Sequence, residues 1–392
     1  MSDIYEDSLK LHQVNRGKIA TKLKVACENS KDLALAYSPG VAAPCLKINE
    51  DSNLSYTYTN RGNTIAVISD CTAVLGLGKL SAEAGMPVME GKAFLFKRFA
   101  DIDAIPLVLN TNDPDEIINT CKILEKSFGG INLEDIAAPN CVKIERELIE
   151  SLNIPVFHDD QHGTAIVVLS GLINALKLTK KKANECRVVV SGCGAAGSNV
   201  IKTIYNYGFT NIIAFDKDGC LYQHDKDSYD FLKKELLDYV NLNDESYDTL
   251  ADALKGADIM IGMSAANIVS KEMVASMKQK AIIFALANPS PEIPYEDAKK
   301  AGAYIIATGR SDYPNQVNNL LAFPYIFKGA LLANATRITD NDKIAAANAI
   351  ASLITDDLSP DYIIPSPFDE RLKTVVVEAV KNSCIKGGFI RE

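Results

Sequence analysis

The stretch RVVVSGCGAAG, residues 187–197, decides the reading of the fold. Its first five residues form a β-branched run of the kind that makes a buried strand. A glycine loop follows at once, and a helical pattern continues to about residue 207. Strand, GxGxxG and helix in register are the first unit of a dinucleotide-binding βαβ motif. Gly192 permits the tight turn, Gly194 lets backbone approach a pyrophosphate, and Gly197 allows close helix–strand packing. Ala195 and Ala196 open the helix, whose N-terminus faces the negative charge. The next strand-like run, 211–215, ends at Asp216, nineteen residues after Gly197. A carboxylate there can hold a ribose 2′-hydroxyl, which suits NAD. The adjacent Lys217 can meet a 2′-phosphate, so NADP stays open.

Downstream, strands are predicted at 259–262, 281–285 and 304–307. This serial alternation predicts an α/β fold, with a Rossmann-like, doubly wound cofactor domain over 163–330. Upstream, residues 64–69 (TIAVIS), 103–109 and 154–157 read as strands, and 114–126 as a helix. They predict a smaller N-terminal α/β domain with helices over 1–162. Residues 163–176, GTAIVVLSGLINAL, are apolar on nearly every side and predict a buried helix. Residues 331–392 read as a helical segment packing back on the first domain.

The 392 residues are too many for one ordinary core. A net charge of −9 argues against nucleic acid, which requires clustered cations. No run of 18 or more apolar residues predicts a membrane span. The start, MSDIYEDSLK, carries early acids and no apolar core, unlike a secretory or transit signal. Nine cysteines without a CxxC predict reduced thiols and a cytoplasmic protein. The run KLTKKKANE reads as a solvated connector.

Two acidic pairs, Glu134-Asp135 and Asp159-Asp160, follow apolar runs and so fall at strand ends. Converging carboxylates suit a hard cation, Mg²⁺ or Mn²⁺. Acids before residues 163–176 could equally favour a helix N-terminus. His158 and His162 share the spacing of zinc ligands but lack a third soft ligand, so packed histidines are expected. Lys92 precedes the apolar run 93–96, where it could act as a base or lie along the surface. Tyr37 begins the turn YSPGVA. Asn288, Asn318 and Asn319 follow predicted strands, where amides can line a cleft or build turns.

The segments YSPGVA, LGLG, GMPVMEGKA, LEDI, HDDQHGTA, GCGAAG, ANPSPEI and TGRSDYPNQVNN occur in one order. Together they resemble the short malic enzymes, which oxidatively decarboxylate malate to pyruvate with NAD or NADP and a divalent metal. The resemblance runs from about Tyr37 to Gly329. It implies Tyr37 as general acid, Lys92 as general base and Asp159 beside Lys92 to tune it. It implies Glu134, Asp135 and Asp160 as metal ligands. Asn288 and Asn318 or Asn319 would hold the substrate carboxylate and the nicotinamide end. It further implies a homodimer in which Tyr37 enters the partner's site. Two departures stand out. The family's SDG is Ser69-Asp70-Cys71 here, and Lys79 follows LGLG where an acid is common. Ala73 stands where larger relatives place a substrate arginine, so Thr72 and backbone amides are expected to substitute. The base role predicts a lysine pKa lowered by burial and a nearby cation, against an opposing push from Asp159. The competing readings are a metal-independent dehydrogenase of another small acid, a non-catalytic NAD(P)-binding regulator, and a plain oxaloacetate decarboxylase.

Overall fold

The strand β1, Thr64–Ser69, is buried along its whole length, as a parallel strand covered on both faces must be. A computed structural model describes residues 2–74 and 77–391. Leu75 and Gly76 of the LGLG segment lie outside the described residues. β1 pairs in parallel with β2, Asp103–Val108, and with β3, Gly130–Leu133; β3 pairs with β4, Val156–His158. The order β2-β1-β3-β4 reverses direction between β1 and β3. The predicted strand at 154–157 is thus shifted to end on His158, because register with Leu133 carries pairing to that residue.

The second sheet has the order β10-β9-β8-β5-β6-β7. Its strands are β5, Arg187–Ser191; β6, Asn211–Asp216; β7, Gly219–Cys220; β8, Ile259–Gly262; β9, Ile282–Ala285; and β10, Ile305–Thr308. All pairings are parallel except that of the short β7 on β6. The order changes direction between β5 and β8, which makes the crevice beyond their carboxyl ends the ligand site of a doubly wound sheet. The expected α/β class and the Rossmann-like sheet are both present.

The helix Asp159–Thr179 joins the sheets. Its apolar residues are buried around its circumference, from Ala165 to Leu176. It is long and apolar enough to cross a membrane by composition, yet it lies inside the protein, against the helices Ala195–Tyr207 and Asp340–Ser352. One continuous core runs from Ile65 and Val67 of the first sheet to Val188 and Val190 of the second. The helix Ala82–Ala100 turns Gly85, Met89, Ala93, Phe96 and Ala100 inward, a three-or-four spacing that gives one buried stripe. Phe323 and Phe327, on the helix Phe323–Leu332, meet Phe96 edge-on at 4.8 and 5.5 Å. The chain beyond the second sheet is thereby fastened to the first, and Lys92 is held on a rigid helix between the two.

The N-terminal helices differ from this core. Ser30–Ala36, Ala42–Glu50 and Ser55–Tyr58 bury no residue, and Leu33, Leu35, Tyr37 and Leu46 are each more than half exposed.

Candidate active site

The carboxyl ends of both sheets open into one cleft of about 740 Å³. On one wall β3 ends at Glu134 and Asp135, and β4 runs into Asp159 and Asp160. A left-handed φ of 52° at Asp135, tolerated by aspartate, turns the chain directly after Glu134. Asp159 and Asp160 occupy the first turn of the helix Asp159–Thr179, where its dipole favours anions. The helix-start and carboxylate-cluster readings therefore hold together. Glu134, Asp135 and Asp160 bring ligand atoms within 4.8 Å of one another. Asp135 Oδ2 is buried without a hydrogen-bond partner, and the Asp135 amide donates to Asp160 Oδ2 at 2.9 Å.

Lys92 Nζ lies 2.8 Å from Glu134 Oε1 and 2.7 Å from Asp159 Oδ2. It also sits 3.9 Å from the centre of the Phe323 ring, a cation–π contact with no local sequence signal. Asn319 Nδ2 donates to Asp159 Oδ2 at 3.2 Å, and Asn319 Oδ1 accepts from Thr164 Oγ1 at 3.1 Å. Asn132 supports Glu134 from behind at 3.0 Å. Lys92, Asp159 and Asn319 are thus brought together from the two ends of the chain.

Crowded acids dominate the electrostatics. Burial raises Glu134 well above the usual carboxylate range; Lys92 opposes this, while Asp160 and Asp159 add to it. Burial and the charge of Asp160 push Asp135 up to about 7. Burial alone would lower the Lys92 pKa, but Asp159, Glu134 and Asp160 outweigh it and the pKa is raised. Burial thus acts in the direction expected of a base, and the carboxylates act against it. Two buried carboxylates, Glu134 and Asp135, facing the exposed Asp160, with one buried oxygen unbonded, are the donor set that a divalent cation relieves.

The opposite wall carries the glycine loop. Gly192 adopts φ +109°, and a Cβ there would lie 2.6 Å from Met263 O. A Cβ on Gly197 would lie 1.9 Å from Gly192 O, which enforces the close packing expected of the third glycine. Among the described residues nothing lies within 4 Å of the Gly194 Cβ position, leaving room for a ligand at the start of the helix Ala195–Tyr207. Ala195, Ala196, Asn288 and Asn318 line the cleft. The Asn318 side chain also caps Leu320 N at 3.0 Å.

Three further candidate residues have surroundings that bear on their roles. Thr72 is engaged within its own loop. Its hydroxyl donates to Asp70 Oδ1 at 2.6 Å and accepts from Ala137 N at 2.8 Å, so it shapes the loop, while Ala73 lines the cleft. Tyr37 is 69% exposed, at the end of a helix that buries no residue. Asp216 forms its ion pair with Lys233, 2.5 Å away on the helix Phe231–Leu236, and not with the neighbouring Lys217. Burial would raise Asp216, but Lys233 holds it below the usual carboxylate range. Lys233 was invisible to a motif reading because it lies far along the chain, outside the strand–loop–helix unit. Cys71 explains one departure: it adopts φ 55° at the position where the family pattern has glycine. His162 Nε2 lies 2.9 Å from Glu145 Oε2, so it is a packed histidine.

Comparison with known proteins matches residues 16–149 to the family description "Malic enzyme, N-terminal domain" and residues 161–381 to "Malic enzyme, NAD binding domain". The chain is 54% identical to a bifunctional malic/malolactic enzyme of Bacillus subtilis, across 98% of this chain and 94% of that protein. It is 48% identical to a probable NADP-dependent malic enzyme of Rickettsia prowazekii, across 99% of this chain, which spans about half (52%) of that longer protein. The crystal structure of an NAD-dependent malic enzyme from Thermotoga maritima superposes with a TM-score of 0.91 at 49% identity, covering 95% of this chain and 98% of that one. With both halves of the chain matched and the glycine loop facing the Lys92 cluster across one cleft, the chain belongs to the malic enzyme family.

Proposed function

We propose that the protein oxidises L-malate with NAD(P)⁺ and releases pyruvate and CO₂. The observation that carries this reading is the Lys92 ammonium, clamped between Glu134 and Asp159, in the same cleft as the dinucleotide loop. Glu134, Asp135 and Asp160 would hold Mg²⁺ or Mn²⁺. The bound cation supplies Lewis-acid stabilisation of negative charge on the substrate oxygens. Lys92 takes the proton of the C2 hydroxyl. To do so near pH 7 a lysine must drop about three units from its ordinary ~10.4. Were Glu134 and Asp160 to share their charge with that cation, two of the three carboxylates that hold Lys92 protonated would be offset and burial would lower its pKa. Asp159, fixed by Asn319, keeps the amine aimed. Tyr37 delivers a proton to C3, and its exposed apolar surroundings support a homodimer in which it serves the partner's cleft. Asn288 and Asn318 lie where the nicotinamide end and the substrate carboxylate need donors. We place the reaction in the cytoplasm, in keeping with nine unpaired cysteines.

The decisive assay measures pyruvate from malate with NAD⁺ and NADP⁺ in turn, with Mn²⁺ and with EDTA. Dinucleotide-dependent pyruvate that vanishes in EDTA is the expected result. Activity that survives EDTA supports a metal-independent dehydrogenase instead, and pyruvate from oxaloacetate alone supports a decarboxylase.

The Asp216–Lys233 pair bears on cofactor choice. A bare Asp216 accepts from a 2′-hydroxyl and repels a 2′-phosphate; pairing with Lys233 removes the repulsion and keeps the acceptor. Both cofactors are then accepted. Lys233→Ala is expected to lower kcat/KM for NADP⁺ about tenfold, the loss of one charge-assisted contact, while NAD⁺ changes little. Equal losses with both cofactors would count against this pair as the discriminator.

A further inference from the structure

Glu292 is fully buried, and none of the ion pairs among the described residues involves it. Its carboxylate is held instead by backbone. Oε1 accepts from Ser264 N at 3.0 Å, in the loop beyond β8, and Oε2 accepts from Ala287 N at 3.1 Å, in the loop beyond β9. The same two loops are joined by Val269 N to Glu292 O and Asn267 N to Pro291 O, at 3.0 and 3.1 Å. β8 ends in Gly262 for a reason visible here: a Cβ at that position would lie 2.3 Å from Glu292 Cδ. A buried carboxylate with only amide donors costs more than a neutral side chain in that place. Its position between two loops says what it does.

Those loops present Met263, Ser264 and Asn288 to the cleft. Gly194 leaves space at one end and Lys92 stands at the other, so a dinucleotide with its pyrophosphate at Gly194 must run its nicotinamide end past them. We infer that Glu292 is a positioning residue for the nicotinamide end of the cofactor, its carboxylate fixing the spacing of the two loops between which that end lies. The inference rests on reading the cleft as an NAD(P) site. It adds a residue that touches neither cofactor nor substrate.

The test is a fluorescence titration of the full chain with NADH and NADPH, alongside steady-state kinetics. Glu292→Gln keeps the shape but turns one acceptor into a donor facing an N–H. It is expected to weaken dinucleotide binding and raise the cofactor KM about tenfold, the loss of one buried bond, with kcat and the malate KM within about threefold. Gly262→Ala pushes on the carboxylate from the strand side and alters no residue that lines the cleft. It should reproduce the same split, and the double variant should be no worse than the stronger single one. If Glu292→Gln is insoluble, Gly262→Ala carries the reading. Folded variants that bind dinucleotide within twofold of the unaltered protein overturn the inference, as does an equal loss in kcat and both KM values, which marks a merely structural residue. Failure of the unaltered protein to bind either dinucleotide overturns the functional reading itself.

Discussion

Lys92→Ala is expected to lower kcat by about a thousandfold, the middle of the range for removing a positioned general base. Nothing nearby can replace it. Among the described residues, Asp159 and Glu134 are the ionisable groups paired with Nζ, and both are acids, while Phe323 offers it only a ring face. The variant should still bind a divalent cation, and bind it at least as well, because Lys92 no longer competes for Glu134. It should also reveal itself in stability. Without Lys92 the buried Glu134 and Asp159 lose their shared partner, a change that costs roughly 3–5 kcal/mol when one member of a buried pair is removed. Mn²⁺ should restore much of the lost thermal stability by binding the folded form. The pH profile gives a third reading. A base works only when deprotonated, so kcat/KM of the unaltered enzyme falls as pH drops through the Lys92 pKa. Without a cation that pKa is raised, by carboxylates that outweigh burial. The acid limb should therefore move to lower pH as metal saturates the site, and it should be missing in Lys92→Ala. A folded, metal-binding Lys92→Ala enzyme within tenfold of normal kcat would remove Lys92 from the base role.

Much of this arrangement was legible in the sequence because strand ends and glycine spacing are local signals. Parallel strands buried on both faces read as plain apolar runs, and the acids that terminate them fall at carboxyl ends by construction. That rule alone puts Glu134, Asp135, Asp159 and Asp160 in one crevice. Its limits are equally physical. Thr72 looked available because a hydroxyl's partners are not written in its own position; Asp70 and Ala137 take them only once the loop is folded. Lys233 and Glu292 each act on a residue one or more elements away, and each was hidden for that reason. The sign of the Lys92 shift depended on how many carboxylates converge, which distance settles and spacing does not. Gly262 shows the opposite case. A glycine ending a strand was visible, but its meaning appears only with the Glu292 carboxylate packed against it.

Tyr37 calls for an experiment on two chains, since one chain leaves it 69% exposed beside Leu33, Leu35 and Val41. An apolar surface of this kind on helices with no buried residue fits a symmetric interface. Tyr37→Phe is expected to lower pyruvate formation about a hundredfold, the lower end for loss of a general acid, with a smaller effect on malate oxidation. Lys92→Ala should be nearly silent by itself. Co-expressing the two variants then separates the geometries. If Tyr37 serves the partner's cleft, a mixed dimer has one cleft with an intact Lys92 and an intact partner Tyr37, and one with neither. Random pairing makes half of the dimers mixed, so about one quarter of normal activity should return. If Tyr37 serves its own cleft, no mixed dimer contains a complete site and the mixture stays as inactive as its parents. Mixing after separate purification should recover activity only as fast as subunits exchange. A monomer at assay concentration with full activity would exclude the shared site outright.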